Sequence, residues 1–127
     1  MKNQTESQIQ AEIIKWFWND YKEFRGLLYH NFNNPRNAVN GAQLIALGLT
    51  KGNPDLTLAI TRFGYGALYI ELKKPGKRPE DHQVKQMNRL KDAGNLVTWS
   101  DSVEEVKILI NIYLDDGYLM DNYLREF

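Results

Sequence analysis

The sequence predicts a mixed α/β layer fold, a sheet flanked by helices, and three observations carry that reading. Two runs with period-two alternation, residues 55–60 and 67–73, lie either side of the glycine-bearing turn Arg62-Phe63-Gly64-Tyr65-Gly66 and read as a strand hairpin. A capped, apolar-periodic helix opens the chain before this hairpin. After it, a helix, a short strand and a second capped helix follow one another. With 127 residues, 43% of them hydrophobic and 12% aromatic, the chain can fill one core and not two, so residues 1–127 read as one domain.

Each element has a local cause. Thr5-Glu6-Ser7-Gln8 fits a capping box, with Thr5 as N-cap and Gln8 at the third helical position, and opens a helix running to about Phe24. Stepping about 100° per residue, Ile9, Ile13, Trp16, Phe17 and Phe24 share a stripe with Glu6, while Glu12 falls off it beside Lys15. Trp16, Phe17 and Trp18 are adjacent, so they cannot all face one core. A strand over residues 27–32 and a variable loop or short helix through Leu47 lead to the hairpin. Pro79-Glu80-Asp81 then opens a helix with proline at the first position and acids at the positive dipole end, and Gly94-Asn95 closes it. Leu96-Val97-Thr98-Trp99 is a strand, and Ser102-Val103-Glu104-Glu105 caps a last helix carrying Val106, Leu109 and Tyr113. The stretch from Leu114 to Leu124 mixes apolar and acidic residues and packs either on the core or on a second subunit.

The chemistry-bearing residues sit on the hairpin. Asn53-Pro54-Asp55 opens its first strand and Glu71-Leu72-Lys73 ends its second. Glu71 and Lys73 are two residues apart, which puts both on one face roughly 6.5–7 Å apart along the strand, with Leu68, Ile70 and Leu72 on the other. A loop of about five residues sets Asp55 opposite Glu71, where Cβ atoms are about 4.5–5.5 Å apart. Two carboxylates that close repel unless a positive group lies between them. Mg²⁺ suits such a place, because it takes oxygen ligands and commonly uses one or two carboxylates plus waters and a phosphate. Lys73 beside it can orient a water or offset charge developing on a phosphodiester under hydrolysis. The alternative is plain: Asp55 starts a strand after a proline turn, and Glu71 and Lys73 form the solvent face of an edge strand.

Glu6, at the end of the apolar stripe, is expected to point inward and to need a partner, since an unpaired buried charge is costly. A metal shared with Asp55 and Glu71 supplies one; a dipole-favoured, exposed first-turn Glu is the other reading. From Lys73 to Lys91 seven Lys or Arg stand against two acids in a chain of net charge +0, so one segment is locally basic. It binds a polyanion or is a solvated helix face. No cysteine is present, which excludes a disulfide framework and a Cys-based zinc site. His30 and His82 lie on different elements without a third nitrogen ligand nearby in sequence, and neither is assigned a catalytic role. Neither a secretory signal nor an apolar run of membrane-spanning length is visible, so a cytoplasmic protein without membrane association is expected.

The ordered set Thr5-Glu6-Ser7-Gln8-Ile9-Gln10, His30-Asn31-Phe32-Asn33-Asn34, Leu47-Gly48-Leu49-Thr50-Lys51-Gly52-Asn53-Pro54-Asp55, Tyr69-Ile70-Glu71-Leu72-Lys73, the basic turn before Gln83, Leu90 to Gly94 and Ser102-Val103-Glu104-Glu105 resembles the VRR-NUC domain. That family belongs to the PD-(D/E)xK, restriction-endonuclease-like superfamily, and the resemblance runs over residues 5–114. It implies a restriction-endonuclease-like core in αβββαβ order with a C-terminal helix. It also implies a DNA endonuclease dependent on Mg²⁺ or Mn²⁺. Glu6, Asp55, Glu71 and the backbone carbonyl of Leu72 are then the metal site, Lys73 the catalytic lysine and Gln83 the helix glutamine of the active centre. Stand-alone members of this size resemble bacterial and phage homodimers acting on branched DNA such as four-way (Holliday) junctions, which puts the protein in a bacterial or phage-infected cell. Candidate DNA contacts are Asn33, Arg36, Lys74, Lys77 and Arg78. Where members often carry an Asn-Glu pair, this chain has Asn33-Asn34-Pro35-Arg36, which reads as a turn. A catalytically inactive DNA-binding module and a sequence-specific restriction-type nuclease are the competing functions.

Overall fold

A computed structural model describes residues 4–32 and 38–127. Helix α1 spans Glu6–Asp20, and its predicted capping box is complete: Gln8 N–H donates to Thr5 Oγ1 at 3.1 Å, and Thr5 N–H donates to Gln8 Oε1 at 2.9 Å. The helix stops at Asp20, short of the expected Phe24; Tyr21 leaves helical geometry and Lys22–Phe24 form a 3₁₀ turn. Ile9, Ile13 and Phe17 are fully buried, Trp16 is half-buried and Trp18 is exposed, so the three adjacent aromatics divide between core and surface.

Strands β1 (Leu28–His30), β2 (Leu56–Leu58), β3 (Leu68–Leu72) and β4 (Leu96–Ser100) form one sheet in sequence order. The first three pair antiparallel, and β4 joins β3 in parallel after helix α3 (Asp81–Asp92) crosses over. Between β1 and β2, where the sequence allows either a loop or a short helix, helix α2 (Ala38–Ala46) forms. The β2–β3 strands are shorter than residues 55–60 and 67–73, but their register is the predicted one. Leu56 pairs with Ile70 and Leu58 with Leu68, so Asp55, just before β2, falls opposite Glu71. At the hairpin tip Arg62 bridges Tyr65, and Phe63 and Gly64 both have positive φ (53° and 82°), the twist of a two-residue primed turn.

Glu71 and Lys73 do not form the solvent face of an edge strand. Strand β3 is central, and α3 covers its second face by packing Met87 against Val97 and Trp99. Glu71 is 1% and Lys73 8% exposed. Leu68, Ile70 and Leu72 face the larger core with α1 and helix α4 (Val103–Tyr113). Helix α3 begins two residues later than expected: Glu80 is its N-cap and Asp81 its first position, so Pro79 precedes the helix. The tail packs on the core, where Met120, Tyr123 and Leu124 join the cluster around Tyr113. Among the described residues no helix is long and apolar enough to cross a membrane.

A buried carboxylate pair as the candidate active site

Asp55 is held by both neighbours of β2. Its carbonyl accepts from Asn31 N–H at 2.7 Å, and Asn31 Nδ2 donates to Pro54 O at 3.0 Å and to Thr57 Oγ1 at 2.7 Å. Its carboxylate Oδ2 accepts from the backbone N–H of Leu72 at 2.8 Å. That bond orients Leu72 in a useful way. An extended residue turns its N–H and C=O to the same neighbouring strand, so the Leu72 carbonyl also faces the Asp55 end of β2. The residue opposite it in register is Pro54, which has no N–H to offer. Proline directly before Asp55 therefore cannot claim this carbonyl for the sheet ladder.

Glu71 lies beside Asp55 with Oε2 buried and without a hydrogen-bond partner. Burial, then the hydrogen bond to Asp55, then the Asp55 charge push its carboxyl from 4.5 up to about 10, and Lys73 opposes them only in part. Without a cation, the Glu71 carboxyl therefore favours its protonated form beside Asp55. Lys73 Nζ lies 3.9 Å from Glu6 Oε1. Glu6 is not drawn inward along its stripe as expected: its side chain is 50% exposed, because it occupies the first turn of α1 beyond the last core contact at Ile9.

These groups open into a cavity of about 430 Å³ that Glu6, Asp55, Glu71, Lys73 and Gln83 line together. Gln83 serves the helix as well, since its Oε1 accepts from Glu80 N–H at 2.8 Å. The basic turn behaves differently. Lys74, Lys77 and Arg78 are exposed and none lines the cavity; Arg78 reaches over the Trp99 ring at 5.8 Å. Asn33 and Arg36 lie outside the described residues.

Sequence reasoning passed over three cavity residues, Lys51, His30 and His82. Lys51 immediately precedes Gly52-Asn53-Pro54-Asp55, and His30 pairs with Leu56, next to Asp55, so motif proximity and strand register were the available signals. His82 arrives through a long-range contact. A Cβ on Gly52 (φ +86°) would stand 2.8 Å from the His82 carbonyl oxygen, and Gln86 Nε2 donates to Asn53 Oδ1 at 2.8 Å. The loop carrying Lys51 is in this way seated on α3.

The donor set fits a hard divalent cation only as part of its shell. Among the described residues no three His, Asp or Glu side chains are grouped to hold a metal by themselves. Two adjacent carboxylates, an orphaned buried oxygen and a backbone carbonyl are what Mg²⁺ accepts when water and phosphate complete six oxygens.

No family model and no curated protein matches the sequence. A solved structure described as a VRR_NUC domain protein does match: it is 24% identical, with a TM-score of 0.76, over 89% of this chain and 90% of that one. The mixed four-stranded sheet, its flanking helices and the carboxylate pair at the β2–β3 hairpin are therefore set in the fold of a VRR_NUC domain protein.

Proposed function

We propose that the protein is a divalent-metal-dependent DNA endonuclease, acting as a homodimer on branched DNA such as four-way junctions. The observation that carries the nuclease reading is the Asp55–Glu71 pair at the wall of an open cavity, with Glu71 buried, Asp55 half-buried and Lys73 lining the same cavity. Asp55, Glu71 and the Leu72 carbonyl would hold Mg²⁺ or Mn²⁺. When bound, the ion polarises a phosphate oxygen and lowers the pKa of a water.

The remaining work belongs to the chain. Asp55 is fixed by Leu72 N–H and Asn31, so its oxygens need little reorganisation when the proton leaves Glu71. Glu6 anchors the Lys73 ammonium and is available as a further oxygen ligand. Lys73 orients the attacking water and offsets negative charge as its oxygen bonds to phosphorus and one P–O ester bond breaks. Gln83 and Lys51 line the approach and offer hydrogen bonds to phosphate. Lys74, Lys77 and Arg78, outside the cavity, extend a basic surface for the flanking backbone. Preference for branched DNA and pairing of two subunits rest on the resemblance of the motif set to stand-alone VRR-NUC proteins.

The test is cleavage of a four-way junction, a flap, a single strand and a plain duplex in Mg²⁺ or EDTA by wild type, Glu71→Gln and Lys73→Met. Metal-dependent cleavage lost in both variants, with DNA binding kept, is the expected result. Paired nicks confined to the junction support the dimeric branched-DNA reading, and cleavage of every substrate removes it. Binding without cleavage in wild type overturns the enzyme reading in favour of a binding module.

A further inference from the structure

A second concavity, about 740 Å³, lies between α1 and the outer edge of β1 and shares Ser7, Gln10 and His30 with the carboxylate cavity. Two rings flank it, Trp18 at 40% and Tyr29 at 45% exposure. What sets them apart from the other exposed rings is that both line one concavity. Lys15 and Arg25 stand at its sides, the Arg25 guanidinium 4.1 Å from the Trp18 ring centroid, and among the described residues no acidic one lines it. Aromatic faces beside cations with no competing carboxylate are the surface that unpaired nucleotides select, since every base offers a π-face and every linkage a negative charge. Charge excludes an acid-lined peptide site, and continuity with the carboxylate cavity gives a strand one path across both.

Resting on the nuclease reading above, we propose that this groove binds single-stranded DNA leaving the scissile phosphate, with bases stacked on Trp18 and Tyr29 and the backbone followed by Lys15 and Arg25. The ligand of this groove is thus an unpaired arm at a branch point, rather than plain duplex.

The experiment is a binding titration in EDTA, where cleavage cannot occur. Full-length protein is titrated with a blunt duplex and with the same duplex carrying an oligo-dT overhang. Wild type is expected to prefer the overhang about tenfold, the scale of one or two base stacks. Trp18→Ala is expected to lose that preference while its blunt-duplex affinity and melting temperature stay those of wild type, and Trp18→Phe to keep most of it. Equal affinity of wild type for both DNAs, or an undiminished preference in Trp18→Ala, overturns the proposal. Sedimentation of the same proteins covers the other occupant: a dimer that Trp18→Ala dissociates, with overhang preference unchanged, assigns the groove to a second copy and also overturns it. Because the titration needs no metal, failure of overhang binding is separable from failure of the nuclease reading, which is scored by Mg²⁺-dependent cleavage.

Discussion

Burial of Glu71 beside Asp55 sets a proton and a cation in competition for the same oxygens. The carboxyl titrates at about 10 instead of 4.5, chiefly through desolvation. Between those values the metal-free folded state keeps a proton that the unfolded chain has lost. This contribution to stability is therefore full below 4.5 and drains away as pH rises toward about 10. Thermal melts in EDTA from about pH 5 to about pH 9 should show the melting temperature falling, and Glu71→Gln, which cannot ionise, should flatten that dependence. A wild-type profile as flat as the variant's would show that Glu71 is ionised throughout. If the pair holds a divalent cation as proposed, its affinity should rise with pH, which calorimetry across that range would record as proton release on binding.

At the level of elements, the site is a junction of five pieces: the start of α1, the end of β1, the turn before β2, the end of β3 and the start of α3. The turn is the most constrained of them. Gly52 sits in the left-handed region against the His82 carbonyl, and Asn53 is tied to Gln86. Gly52→Ala meets both obstacles, since alanine resists φ +86° and its Cβ would fall 2.8 Å from backbone oxygen. A cost on the order of 1–3 kcal/mol is expected in urea denaturation, together with reduced cleavage as Asp55 shifts. An unchanged midpoint would show that the turn yields freely. The capping box of α1, the Ser102 cap of α4 and the β2–β3 register were legible because each is written in residues at most a hairpin apart. The end of α1 at Asp20 was not, because the continuing apolar pattern through Phe24 is satisfied by a 3₁₀ turn packed on the same core.

Across the whole molecule, the last residues close the sheet. Arg125 donates to Glu105 at 2.7 Å and to Asp101 at 2.8 Å and stacks over Trp99, while Trp99 Nε1 donates to the Glu126 carbonyl at 2.9 Å. This clasp joins the tail to β4, an edge strand whose free backbone groups would otherwise invite pairing with another chain. Arg125→Met should lower stability by about 1–3 kcal/mol, because Glu105 and Asp101 lose their shared cation and Trp99 its cover. Chemical denaturation measures it, and an unaltered midpoint would mean the clasp is idle.

Local pattern sufficed for the α/β class, the starts of α1 and α4, the hairpin register and the approach of Asp55 to Glu71, because period, caps and turns act between near neighbours in sequence. Tertiary structure decided the rest. Crossover of α3 made β3 central and buried Glu71 and Lys73, converting a polar strand face into a low-dielectric site in which the Glu71 carboxyl is pushed up to about 10. It brought His82 against Gly52, kept Lys74, Lys77 and Arg78 out of the cavity, and left Trp18 beside Tyr29 on the surface. Burial and charge proximity depend on which layers cover which face, and that is set by contacts between residues far apart in the chain.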